Sequence, residues 1–300
     1  MRLLFTDLHL KEDRKEDQKN IIDQIIELAI MSHVNSVDVL GDVFDNRNRI
    51  SAHLYNLVSY LNKTLNEHGI IIRYLSGNHD KPHDQSSISF LTPLGNDSSR
   101  LVFDTEEDVK IIDNILFIPF LPEERFQKVL EKSSSKHVEY IYIHQGVNGV
   151  RDNKKHKHES SIKINSFSDL YPNLRKIFSG HFHNRVSYKK GLLNYLGNPM
   201  QMDHADDMTK GVWLFDNEKH TKHFIQLNYP LFITHELKSN VDGFDKAISI
   251  ISDKENENNF IRLIFKGTKD KLVQIPRKDL EKLNKTRKIV IDEDIFHDGK

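Results

Sequence analysis

The chain contains no cysteine, which excludes disulfides and thiolate metal ligands together. It also lacks any apolar run near the roughly 18 residues that a membrane span requires. No internal repeat or low-complexity linker interrupts it. Met1 to His9 runs directly into strand-like sequence, leaving no room for a cleavable signal. These absences point to a cytoplasmic protein (host cytoplasm if phage-encoded) with no membrane partner. Net charge is −1, from 43 Lys and Arg against 44 Asp and Glu. The whole-chain field therefore selects no polyanion. Local runs are another matter, because Arg262 to Lys288 holds ten Lys or Arg and three acidic residues. Arg151 to Lys163 holds five and two. Such runs can contact phosphates or simply face solvent.

Hydrophobic residues make up only 37% of the 300, but they come in blocks. Met1 to Thr6 reads as a buried strand, Asp17 to Met31 as an amphipathic helix on Ile21, Ile22, Ile25, Ile26 and Ala29, and Ser36 to Leu40 as a second strand. A second helix on Leu54, Leu57, Val58, Leu61 and Leu65 precedes a third strand, Ile70 to Leu75. This alternation is that of a parallel α/β sheet. Further strands are predicted at Val109 to Ile112, Ile115 to Ile118, Val138 to Ile143 and Lys176 to Phe178. Four more follow between Arg185 and Leu227, and their short connections suggest antiparallel pairs. The fold class is α/β: a mixed β-sandwich flanked by helices over residues 1–228, with a small α/β domain over 229–300.

Five short segments carry metal-ligand residue types, each at the end of a strand-like run. They are Asp7-Leu8-His9, Gly41-Asp42, Gly77-Asn78-His79-Asp80, His144-Gln145-Gly146 and Gly180-His181-Phe182-His183. In α/β sheets, ligands bind beyond the carboxyl ends of the strands, so five loops converge on one edge. Glycines would permit tight turns there. In Asp-x-His and His-x-His, residues two apart would address one point from an extended chain. The donors are oxygen and nitrogen only, suiting manganese, magnesium, iron or zinc. Two Asp, four His and one Asn exceed the needs of one ion and suit two divalent cations bridged by a carboxylate. Such a pair, about 3.5–4 Å apart, stabilises both attacking and leaving oxygens in phosphoryl transfer.

As an ordered set from Asp7 to His183, these segments resemble the calcineurin-like metallophosphoesterase superfamily. The resemblance implies that Asp7, His9, Asp42 and His183 hold one ion, that Asp42 bridges, and that Asn78, His144 and His181 complete the second. His79 would face the leaving oxygen as a general acid or charge stabiliser, and Asp80 would orient it by accepting its other ring proton. Gly41-Asp42-Val43-Phe44-Asp45 and Leu193 to Gln201 are similar to segments of the SbcD and phage recombination nucleases. Asn198 stands where those have Ser or Thr. That similarity implies a manganese-dependent exo- or endonuclease of DNA end processing, recombination and repair. It further implies a DNA-capping role for residues 229–300, a coiled-coil SbcC-type ATPase partner and a homodimer. The alternative is a metallophosphoesterase acting on nucleotides or phosphoproteins. Arg47, Arg49 and the run Arg151 to His158 are candidate phosphate contacts. Asp45 is a candidate orienting group, His204 a candidate cleft residue, and His156 and His158 read as surface.

Overall fold

A computed structural model describes residues 1–95, 97–151 and 156–295. Within it the chain forms two compact units, residues 1–200 with 209–228 and residues 201–208 with 229–300. The sequence division at residue 228 thus leaves out the segment 201–208. That segment is tied to the second unit by Gln201, whose Oε1 accepts from the Phe232 amide at 2.9 Å, and by the Tyr229 hydroxyl, which donates to the Met208 carbonyl.

The first unit holds two six-stranded sheets. In one, β1 (Arg2–Phe5), β2 (Ser36–Leu40), β3 (Ile71–Leu75) and β4 (Arg100–Phe103) run parallel. The other contains β5 (Lys110–Ile112), β6 (Ile115–Ile118), β7 (Tyr140–Ile143), β8 (Lys176–Ser179), β9 (Val186–Tyr188) and β10 (Leu193–Tyr195) in the order β5-β6-β7-β8-β10-β9. The antiparallel strands β11 (Gly211–Asp216) and β12 (Thr221–Gln226) extend the first sheet beyond β1. The short connections after β8 do not produce the expected hairpins throughout. Strand β10 inserts between β8 and β9 and runs parallel to β8, because the intervening loop carries the chain past one strand position before it returns.

Period-two alternation assigns the faces. Leu4, Leu40, Leu75 and Phe103 of the first sheet pack against Ile115, Phe117, Tyr140, Tyr142 and Phe178 of the second, forming the inter-sheet core. The opposite face of the first sheet presents residues such as Tyr74, whose hydroxyl donates to Asn62 at 2.8 Å. Asn62 belongs to helix α2 (Ala52–Glu67), which packs beside α1 (Lys15–Met31). The outer face of the second sheet is covered by α3 (Glu123–Lys132) and α4 (Ile164–Leu170) through Phe126, Val129, Leu130 and Phe167. Sequence periodicity did not reveal these two helices, because both are short and α3 offers three apolar anchors among charged residues.

In the second unit β13 (Phe232–Lys238), β14 (Phe260–Gly267) and β15 (Lys288–Ile295) form a parallel three-stranded sheet. Parallel neighbours require crossovers, supplied by α5 (Val241–Ser252), α6 (Lys269–Leu272) and α7 (Arg277–Leu283). Alternate residues Ile261, Leu263 and Phe265 of β14 meet Ala247, Ile251, Leu272 and Leu280. Among the described residues no helix is long and apolar enough to cross a membrane.

Candidate metal centre

The loops leaving β1 and β2 run side by side. The Asp7 amide donates to Gly41 O at 2.9 Å, His9 to Asp42 O at 3.0 Å and Leu10 to Val43 O at 2.9 Å. Asp7, His9, Asp42 and His181 have φ of +53°, +44°, +53° and +86°. The sequence reading expected extended pairs at Asp-x-His and His-x-His. Instead the backbone turns left-handed, because both first loops must curl over the strand ends while keeping their mutual hydrogen bonds. Each such residue costs on the order of 1–3 kcal/mol and persists only where its surroundings enforce it. Space is equally constrained. A methyl group on Gly180 would lie 2.1 Å from Thr6 Oγ1 and 2.4 Å from Leu40 O, and one on Gly77 would lie 2.1 Å from Asp42 Oδ1. These two glycines serve close approach; neither has a positive φ.

Asp7 and Asp42 are buried, at 0% and 2% exposure. His9 Nε2 lies 3.7 Å from Asp7 Oδ1, 3.6 Å from Asp42 Oδ2 and 3.2 Å from His183 Nε2. His144 Nδ1 donates to Leu40 O at 2.7 Å, which fixes its tautomer and turns Nε2 toward Asp42 Oδ2 at 3.2 Å. The His181 amide donates to both Asp7 oxygens, at 3.1 and 3.2 Å, and its Nδ1 lies 3.0 Å from Asn78 Oδ1. All seven side chains are thus linked into one cluster. Asp7, His9 and His183 form one close group able to hold an ion, and Asp7, Asp42 and His144 another.

Burial alone would depress His9, but hydrogen-bonded Asp45 and Asp7, with Asp42 nearby, push it up to about 10. Burial also opposes the charged form of His144, which Asp42 and Asp7 raise to about 9. The Asp42 carboxyl, despite burial, is held far below the ordinary range by His144 and His9. His181 is lowered to about 4 by burial and by His144, which leaves a neutral ring with a free lone pair. Two buried carboxylates therefore draw protons onto neighbouring imidazoles, and His9 and His183 aim ring nitrogens at each other. Divalent cations would satisfy both features, and the donor set is the oxygen and nitrogen set that hard to borderline ions prefer. The residues fit a two-ion centre.

The structure corrects the role given to Asp80. Its carboxylate does not meet the His79 ring; it accepts from the Gly77 and Phe44 amides at 2.9 and 3.0 Å. Burial, together with the Asp42 charge, raises it to about 7. Asp80 therefore ties the loop after β3 to the loop after β2. The turn of that loop aims the His79 ring across it, so the proton of His79 Nδ1 meets the Asp45 carbonyl at 2.8 Å instead. The Asp45 side chain in turn lies 3.2 Å from both His9 Nδ1 and Lys11 Nζ.

Other groups escaped the sequence reading. The Tyr195 hydroxyl accepts from the Val147 amide and donates to Gln145 O, both at 2.9 Å, clamping the segment after His144. Its place in the Leu193 to Gln201 segment was the available signal. Buried Lys210 donates to His183 O and Asn184 Oδ1 at 2.6 and 2.7 Å, and nothing in its sequence context marks it. His158, read as surface, is half-buried against His181 and Phe182. Arg47 is committed elsewhere, donating to Lys81 O and pairing with Asp84. Arg49 borders a cavity of about 530 Å³ with Lys11, Asp45 and Leu54. His204 packs on Phe232 within the second unit. Of the basic run from Arg151 to His158, positions 152–155 lie outside the described residues.

No family model matches the chain. It is 25% identical to exonuclease subunit 1 of Enterobacteria phage T4 over 217 residues, 69% of this chain and 60% of that protein. It is also 25% identical to the DNA double-strand break repair protein Mre11 of Sulfolobus acidocaldarius over 266 residues, 82% of this chain and 66% of that one. The chain thus spans about two thirds or less of these relatives. Among solved structures, a dimetal phosphatase from Danio rerio covers 70% of this chain and 87% of its own, at 12% identity and a TM-score of 0.42.

Proposed function

We propose that this chain, which resembles the calcineurin-like metallophosphoesterases in its ordered motifs and has exonuclease and break-repair relatives, is a two-metal DNA phosphodiesterase of DNA end processing. The observation that carries the reading is the pair of buried carboxylates, Asp7 and Asp42, ringed by His9, His144, His181 and His183. In this proposal Asp7, His9, Asp42 and His183 hold one ion, with Asn78, His144, His181 and the bridging Asp42 holding the other. When bound, the ions supply an activated water and charge stabilisation for in-line displacement at phosphorus.

The remaining work belongs to the chain. The Asp45 carbonyl keeps the His79 Nδ1 proton in place. With its ring 4.8 Å from that of His9, His79 would in this proposal use Nε2 to pass a proton to the departing sugar oxygen. Asp45 also steadies His9 from behind through Nδ1, the arrangement that sharpens a metal-binding imidazole. Manganese as the native ion, DNA contact by the basic second unit, a coiled-coil ATPase partner, homodimerisation and a cytoplasmic setting belong to the same proposal. They rest on the motif resemblance and on what the relatives are called.

The test uses purified protein on end-labelled double- and single-stranded DNA, with manganese, magnesium and chelator compared. Cleavage that requires a divalent ion and releases nucleotides or short fragments is expected. Hydrolysis of bis(p-nitrophenyl) phosphate with intact DNA under every condition would overturn the choice of substrate while leaving the chemistry standing.

A further inference from the structure

The hairpin between His144 and His181 delivers a side chain that the seven-ligand scheme does not use. Asn148 donates to Ile162 O at 2.9 Å, Gly149 to His158 O at 2.9 Å and His158 to Val150 O at 2.7 Å, and Arg151 pairs with Lys157. The hairpin base is also tethered from outside. The Ser161 amide donates to Glu123 Oε2 at 2.8 Å, and Gln127 donates to Ser161 O at 3.0 Å. His158 therefore sits on a braced strand of backbone.

Its ring lies 6.1 Å from that of His181 and 5.6 Å from that of Phe182, edge to face in both cases. Nε2 occupies the space above Gly146, 2.2 Å from where a methyl group at that position would be. The glycine of His144-Gln145-Gly146 is thus the room that lets this imidazole reach the centre. The ring is half-buried, and it interacts electrostatically with the Glu123 carboxylate that tethers the hairpin base. A polar ring held in place over Gly146 and partly open to solvent, beside the His181 ring, is fit to contact an oxygen that arrives with substrate.

We infer that His158 is a phosphate-binding residue, donating a hydrogen bond to a non-bridging oxygen of a phosphodiester or phosphate seated at the His144–His181 side of the centre. This rests on the phosphodiesterase reading above. His158 takes no part in moving the leaving-group proton, which is left to His79. The contact is made in the ground state and the transition state alike, so its loss acts on KM rather than kcat.

The test compares His158→Leu, which keeps apolar packing against Phe182 and removes the donor, with His158→Gln, which keeps a donor. With bis(p-nitrophenyl) phosphate and manganese, His158→Leu is expected to raise KM about tenfold with kcat within about twofold. His158→Gln should recover most of that loss. Isothermal calorimetry with inorganic phosphate should show the same ranking, Leu weakened about tenfold and Gln near wild type. KM and phosphate affinity unchanged in both variants would sink the assignment, as would equal losses in both accompanied by a lowered melting temperature, the signature of packing alone. A wild-type protein inactive on the diester but still binding phosphate through His158 would instead remove the phosphodiesterase reading and leave the contact intact. If the wild type neither hydrolyses the diester nor binds phosphate, both fall.

Discussion

Strands β1, β2 and β3 bury charge at both ends, and the two ends handle it oppositely. On the inter-sheet face, Arg2 Nη1 meets Asp38 Oδ2 at 3.2 Å and Arg73 Nη1 meets Asp38 Oδ1 at 3.0 Å. Arg2 also pairs with Asp113. This cluster is balanced by the chain itself and needs nothing from outside. Past the end of β2 lies Asp42, where among the described residues the two carboxylates share no Lys or Arg, and the only cationic groups facing them are imidazoles. The backbone there is left-handed at four of the proposed ligand positions. Burying an ion pair contributes little net stability because desolvation offsets the attraction. Burying carboxylates without a permanent cation is costlier still, and folds tolerate it where a ligand is to bind.

The comparison can be broken at either end. Asp42→Asn should lower diester hydrolysis by roughly 10³-fold and abolish binding of both ions in calorimetry, with the fold retained. His79→Gln should lower kcat by about 10²-fold or more while two ions still bind; loss of ion binding would move His79 into the ligand set. At the other end, Asp38→Ala takes the carboxylate from buried Arg73 and leaves Arg2 with Asp113 alone, and should cost about 3–5 kcal/mol in urea denaturation. The folded fraction should keep its ion stoichiometry. An Asp38→Ala protein as stable as wild type would show that the two ends are not different in kind.

A smaller effect sharpens the contrast. In chelator, His9 and His144 stand at about 10 and about 9 in the folded chain, against an ordinary value of about 6.5. Their stabilising protonation is fully present below pH 6.5 and is lost as pH rises through 9 to 10. The melting temperature of metal-free protein should therefore fall between pH 6.5 and 8, with ions flattening the dependence by replacing the protons. Above pH 8, Lys81 works the other way. Burial holds it at about 8, so its contribution to stability increases as pH rises from 8 toward its ordinary value. An unchanged melting temperature across pH 6.5–8 in chelator would contradict the charge distribution described for the centre.

Much of this candidate site is legible in the sequence because its polar residues interrupt apolar strands at their ends. One residue separates Asp7 and Asp42 from the ends of β1 and β2, and that contrast survives without any structure. Four things were hidden, each for a physical reason. Asp80 is adjacent to His79 in the chain, but its carboxylate is captured by amides of two loops, and spacing says nothing about which amides are unpaired. His158 looks like an exposed loop residue because the hairpin that buries it is short and polar. The segment 201–208 joins the second unit through Gln201 and the Met208 carbonyl, contacts with no periodic signature. Helix α3 is hidden because six of its ten residues are charged and only Phe126, Val129 and Leu130 mark its buried face.

The left-handed backbone at Asp7, His9, Asp42 and His181 has a consequence for how these positions should be probed. Alanine or valine there would remove a donor and also let the loop relax, so a loss of activity would have two inseparable origins. Asparagine tolerates the left-handed region better than other non-glycine residues and matches aspartate in shape. At positions 7 and 42 it is the replacement that separates charge from conformation. The same logic predicts that random mutagenesis will find almost no neutral variants at these four positions, since two independent filters coincide on each.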